Sequence, residues 1–165
     1  MTTGSSRSPG LAPVSGESPV VLILGSFPSV QSLAKREYYG NPQNRFWAIM
    51  ENIFGIDRSL PYAARTAQLA KYRIALWDVL ASCTRSGSAD ATIREIVPND
   101  IAGFLEMHPS VRCIALNGTA AGKFFSRDTS PVPAVVLPST SPANARRSLE
   151  EKTRIWSTCL AEYLH

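Results

Sequence analysis

The sequence predicts an α/β fold: a three-layer α/β/α sandwich around a central four-stranded parallel sheet. Three observations carry this expectation. Four short runs rich in Val, Ile and Leu lack the alternation of a half-exposed strand, so both of their faces must be covered. Each run ends in Gly, Asp, Asn or Pro/Ser, residues that stop a strand. Segments with apolar residues at helical spacing lie between the runs and serve as crossovers, taken as right-handed. A chain of 165 residues is of single-domain size and can bury a real core.

The elements follow in order. Residues 1–19 are rich in Ser, Pro and Gly without periodicity and are expected to be a disordered leader, leaving 20–165 as one domain. Residues 20–24 are the first strand. Residues 44–54 carry the stripe Phe46, Trp47, Ile49, Met50, Ile53 and Phe54, closed by Gly55, and read as a helix. Asn41 is expected to cap it, with Pro42 at its first position. A second helix covers 62–71 and a second strand 73–77. Residues 100–107 form a helix with Ile101, Phe104 and Leu105 inward. Residues 111–116 are the third strand, 118–126 a helix with Ala121, Phe124 and Phe125, and 134–137 the last strand. Ser148-Leu149-Glu150-Glu151 is a capping box opening a final helix that buries Leu149, Trp156 and Leu160. Ligands of such sheets gather beyond the carboxyl ends of the strands, here the loops 25–39, 78–92, 117–119 and 139–145.

The formal charge of +4 favours polyanionic partners, and scattered Arg and Lys mean that any footprint is assembled by folding. No apolar run is long enough to span a bilayer, and the N-terminus lacks a signal-type apolar core. Cys83, Cys113 and Cys159 are widely spaced and form no zinc or redox pattern. They suit a reduced, cytoplasmic interior, with Cys113 and Cys159 as small buried residues. Neither a metal nor a cofactor is called for.

Several clusters carry chemistry. Gly40-Asn41-Pro42-Gln43-Asn44-Arg45-Phe46-Trp47 brings carboxamides and aromatics to the start of a helix, just after Tyr38 and Tyr39, an arrangement suited to a planar group. The 139–147 loop, with Ser139, Ser141, Pro142, Ala143, Asn144, Arg146 and Arg147, permits close approach of a phosphate backbone; a solvated surface loop is the plainer alternative. Asp78, ending the second strand, suits base recognition, catalysis or a turn cap. Gly118-Thr119-Ala120-Ala121-Gly122-Lys123 fails as a phosphate loop, being one residue short with Phe124 where Ser or Thr must stand. A serine hydrolase lacks its motif and a usable histidine, since His108 and His165 are expected at the surface.

Together, Gly25-Ser26-Phe27-Pro28-Ser29, Tyr38 to Trp47, Trp77 to Cys83 and Leu137 to Asn144 resemble the motifs of the uracil-DNA glycosylase superfamily, most of all its sixth family, the hypoxanthine-DNA (deoxyinosine) glycosylases. The resemblance runs from about residue 20 to the C-terminus. It implies the superfamily's sandwich fold and a repair enzyme that flips a deaminated base, hypoxanthine above all, and hydrolyses its N-glycosidic bond. Phe27 stands where mismatch-specific relatives carry a catalytic Asn, and Ser139 where others carry a His, so uracil is not the expected main substrate. The resemblance assigns catalysis to Asn44, base contacts to Ser26, Phe27, Tyr39 and Asp78, and DNA contacts to Ser139, Ser141, Ala143, Asn144 and Arg146. It implies a monomer acting on damaged DNA in the cytoplasm, associated with the nucleoid, and no lysine stands where a Schiff base would form. The alternatives are a broader uracil or xanthine glycosylase and a binder of damaged DNA without chemistry.

Overall fold

The computed structural model describes residues 8–144 and 146–164. Its centre is a parallel sheet of β2 (Val21–Gly25), β3 (Ile74–Asp78), β6 (Cys113–Asn117) and β7 (Ala134–Leu137), in the order β3-β2-β6-β7. The four expected strands are therefore present, the last with the expected bounds and the other three with ends shifted by a residue or two. Residues 21–24 are fully buried because successive side chains enter two different cores. Val21 and Ile23 pack with α2 (Phe46–Phe54), α3 (Tyr62–Lys71) and α6 (Leu149–Tyr163) through Phe46, Met50, Leu69 and Trp156. Leu22 and Leu24 pack with α4 (Ile101–Met107) and α5 (Thr119–Phe124) through Phe104, Leu105 and Ala121. This is the expected three-layer sandwich.

Three features depart from the sequence reading. Part of the expected leader is laid on the fold: β1 (Ser8–Pro9) pairs antiparallel with β4 (Leu80–Thr84), Gly10 donates to the Ala81 carbonyl, and Val14 exchanges hydrogen bonds with Leu76. Leu11 and Val14 add apolar cover, so backbone pairing holds a segment whose composition reads as disordered. Residues 1–7 lie outside the described residues. The stretch after Asp78 is not a loop but β4, which joins β1 and β5 (Arg94–Pro98) in a second, antiparallel sheet, order β1-β4-β5. The first connection also holds a short helix, α1 (Val30–Lys35), capped by the Ser29 hydroxyl.

Two local expectations are corrected as well. α2 begins at Phe46, so Asn41 and Pro42 precede it in a turn: Asn41 Oδ1 accepts from Gln43 N–H instead of capping the helix. His108 is half-buried, its ring stacked on Phe104 at 4.1 Å, where a surface position was expected. Ser148 caps α6 as expected, its Oγ accepting from the Glu151 amide at 3.1 Å, and Cys113 is fully buried while Cys159 is half-buried.

Candidate nucleobase cleft and basic groove

The chain leaves β2 toward β3 on one side, while β6 lies on the other, so the strand order reverses at the carboxyl end of β2. Such a reversal opens a crevice. A cleft of about 360 Å³ lies there, within the roughly 300–1,000 Å³ usual for small-molecule pockets. Its lining includes Ser26, Phe27, Tyr39, Asn44, Asp78, Asn117 and residues 139–143. Eight of the residues singled out in the sequence thus meet in one cleft: Ser26, Phe27, Tyr39, Asn44, Asp78, Ser139, Ser141 and Ala143.

The first wall is the 25–28 loop. Its carbonyls are engaged: Gly25 and Ser26 accept from the amides of Val79 and Leu80, and Phe27 and Pro28 accept from the Arg85 guanidinium. Any main-chain reading of a ligand there falls to N–H groups. The Arg85 guanidinium also lies 5.0 Å over the Phe27 ring, and the Ser26 hydroxyl donates to Asp90 Oδ1 at 2.9 Å.

The second wall is the aromatic turn. Tyr39 holds φ at +58°, a left-handed backbone rare for a bulky residue and costing about 1 kcal/mol or more. One face of its ring is stacked on Phe46 at 4.1 Å and 20°. Its hydroxyl is buried without a hydrogen-bond partner. Burial first, and the Asp78 carboxyl second, push the Tyr39 phenol up. Asn44 Oδ1 accepts from the Phe46 amide at 2.9 Å, which fixes the oxygen end of the carboxamide and leaves Nδ2 without a partner among the described residues.

Asp78 closes the floor. It is 4% exposed, and its Oδ2 has no hydrogen-bond partner among the described residues. Burial pushes its carboxyl up to about 7, against the pull of Arg85 and with the help of Asp90. Gly25 faces it: a Cβ there would stand 2.6 Å from Asp78 Oδ1, so no larger residue fits without displacing the carboxyl.

The third wall is the 139–144 loop. Asn117, which sequence reasoning passed over, anchors it from the end of β6. Its Oδ1 accepts from the Thr140 amide and its Nδ2 donates to Thr140 Oγ1, both at 3.0 Å. A polar residue ending a buried strand was the available signal. Gly118 follows at φ +98°, and an added Cβ would come within 2.8 Å of the Ser139 side chain. Arg45 N–H donates to the Thr140 carbonyl, tying this loop to the aromatic turn. Arg85 and Asp90 were also missed; no local pattern marks them, because folding alone brings them to the 25–28 loop.

A larger groove of about 790 Å³ adjoins the cleft and shares Tyr39, Asn41, Asn44, Ser141 and Pro142 with it. Lys35, Arg45, Arg58, Arg65, Arg147 and Lys152 line it against a single lining acid, Glu37. Some of these cations are committed: Lys152 Nζ donates to the Asn144 carbonyl at 2.7 Å, and Arg147 pairs with Glu151 at 3.2 Å. Arg45 is exposed. Asn144 borders this groove, not the cleft, and Arg146 lines a separate hollow beside β7 and α6. Arg146 is therefore not brought to the cleft with the other residues singled out. Among the described residues no three His, Cys, Asp or Glu side chains cluster so as to hold a metal ion, and no helix is long and apolar enough to cross a membrane.

Comparison with known proteins bears on the family and the fold. A Methanosarcina acetivorans protein named hypoxanthine DNA glycosylase is 38% identical over 146 residues, 84% of this chain and 89% of that one. A Methanosarcina barkeri protein of the same name is 33% identical over 158 residues, 92% of this chain and 96% of its own. A solution NMR structure from Methanosarcina acetivorans, described as a candidate uracil DNA glycosylase, superposes with a TM-score of 0.80 at 36% identity, covering 94% of this chain and 99% of that one. The sequence model of the uracil DNA glycosylase superfamily matches residues 13–160, and to that superfamily this chain belongs.

Proposed function

We propose that this protein is a monofunctional DNA glycosylase that draws a deaminated base, hypoxanthine foremost, into the cleft and hydrolyses its N-glycosidic bond. The carrying observation is the Asn44 carboxamide, held by its oxygen on the Phe46 amide with Nδ2 unpaired among the described residues at the junction of cleft and basic groove. The relatives named hypoxanthine DNA glycosylase support the choice of base.

The target base must leave the stack before any side chain reaches its glycosidic bond. Lysine and arginine of the groove hold the flanking phosphates, releasing counterions. The Ser139–Asn144 segment presses on the strand at the lesion, with Ala143 or Asn144 entering the vacated space. Tyr39, backed by Phe46, stacks on the extruded base, a contact worth about 1–3 kcal/mol. Main-chain N–H groups of Ser26 and Phe27, with Asp78, contact its edge. Bond cleavage passes through an oxocarbenium-like sugar. Asn44 Nδ2 donates to the departing ring or to the attacking water, stabilising charge as it develops. No lysine lines the cleft, which supports hydrolysis without strand cleavage. The protein acts as a monomer on DNA in the cytoplasm.

The test uses duplexes carrying one hypoxanthine, uracil, xanthine or no lesion, followed by alkali. The expected result is a nick at hypoxanthine that appears only after alkali, with uracil much slower. Binding of the hypoxanthine duplex with no alkali-sensitive site would overturn the reading, and nicking without alkali would overturn its monofunctional part.

A further inference from the structure

Two buried polar atoms in the cleft lack a well-formed hydrogen bond among the described residues, although the Asn117 side chain lies beside the Tyr39 hydroxyl. Asp78 Oδ2 and the Tyr39 hydroxyl are the buried side-chain oxygens without a hydrogen-bond partner among the described residues. Both belong to residues lining the cleft, and the two side chains converge on Gly25, whose added Cβ would lie 2.6 Å from the other carboxyl oxygen, Asp78 Oδ1, and 3.4 Å from the Tyr39 hydroxyl. An unmet buried polar group costs about 1–3 kcal/mol, so a carboxyl kept in this state is kept for a partner that arrives with the ligand. The groups facing Asp78 are Arg85 beyond β4, Asp90 in the turn before β5, Tyr38 and Tyr39 beyond α1, and Tyr62 on α3. Arg85 favours the carboxylate; burial and Asp90 oppose it, and the balance stands at about 7. A group poised near neutral pH is suited to proton transfer. The Asn44 carboxamide can donate a hydrogen bond but is far too weak an acid to transfer a proton near neutral pH.

Resting on the glycosylase reading, we propose that Asp78 is a catalytic general acid, passing its carboxylic proton to a ring nitrogen of the departing purine. As C1′–N9 breaks, the bonding pair stays with the base. The Asp78 proton goes to N7, the basic nitrogen of a 6-oxopurine's five-membered ring, so that the base leaves neutral. Water adds to C1′ and releases one proton to solvent, from which the Asp78 carboxylate recovers its own. One water is consumed, and a C1′ hydroxyl and neutral hypoxanthine are formed.

Single-turnover excision, measured from about pH 5 to 9 on duplexes holding hypoxanthine or 7-deazahypoxanthine, tests this. The wild type is expected to lose about tenfold in rate per pH unit above about 7 and to excise the deaza base at least about 100-fold more slowly. Asp78→Asn is expected to slow hypoxanthine excision by about 10²–10⁴-fold, to abolish the basic limb, and to bring the two substrates within roughly threefold of each other. A wild type with no basic limb, or one that excises both bases equally, overturns the acid role without needing the variant. A variant that keeps the limb and the substrate ratio does the same. Excision of hypoxanthine with a flat pH profile sinks the acid alone; no excision at any pH sinks the glycosylase reading and the acid with it.

Discussion

In the proposed mechanism one side chain, Asn44, serves structure and chemistry through opposite ends. Its oxygen accepts from the Phe46 amide, the first of α2, and its nitrogen, without a partner among the described residues, is the end proposed to meet the ligand. Substitutions can separate the two. Asn44→Asp keeps an acceptor for the Phe46 amide and removes the donor, so excision is expected to fall by about 10²–10³-fold with thermal stability nearly unchanged. Asn44→Ala loses both, with the same catalytic loss plus about 1 kcal/mol of stability from the lost Phe46 hydrogen bond. Single-turnover rates beside thermal melts check this; an Asp variant of full activity would remove the donor role. Asp78 makes a second residue-scale case. Its pKa is raised on folding by burial, so the folded state binds a proton that the unfolded state has already released. Its contribution to stability is present below about pH 4 and lost as pH rises through about 7. Asp78→Asn is therefore expected to raise the melting temperature more at pH 8 than at pH 4, even as it impairs excision. Equal shifts at both pH values would contradict the desolvation of Asp78.

At the scale of elements, two hydrogen-bonded joints hold the cleft. Asn117 clamps Thr140, and Arg45 N–H ties the same loop to the aromatic turn. Asn117→Ala strands the buried Thr140 amide, costing about 1–3 kcal/mol and loosening the 139–144 segment. Lesion-duplex affinity is expected to drop with it, read by titration of a fluorescent duplex; unchanged affinity would mean that the loop does not press on DNA. The N-terminal segment is the other unexpected structural part. Deleting residues 1–15 removes the β1 pairing, both Val14 hydrogen bonds and the apolar cover of Leu11 and Val14. It also strips the Tyr38 hydroxyl of its acceptors, the carbonyls of Leu11 and Ala12. A loss of roughly 3 kcal/mol or more is expected in denaturant titrations, whereas an independent leader would leave the midpoint where it was.

At the scale of the whole molecule, residues far apart in sequence make one cationic groove. Lys35 ends α1, Arg45 and Arg58 flank α2, Arg65 lies on α3, and Arg147 and Lys152 stand at the start of α6. If exposed Arg45 contacts a phosphate, Arg45→Ala should weaken binding of lesion and undamaged duplexes alike and reduce the slope of log affinity against log salt by about 1. An unchanged slope would place the DNA elsewhere. The sequence by itself determined the sandwich, its four parallel strands, the helices packed against them and the segments that reach the cleft. Those features follow from periodicity and strand-ending residues, which are local. It did not reveal β1, β4 and β5, because β1 is two residues long and the five residues of β5 are all exposed. Only the tertiary structure decided that Arg146 stands apart, that Asn117 anchors the loop, and that Asp78 is buried beside Gly25 with its Oδ2 unpaired among the described residues. Such properties depend on which distant side chains exclude water from one another, and that is settled when the layers close.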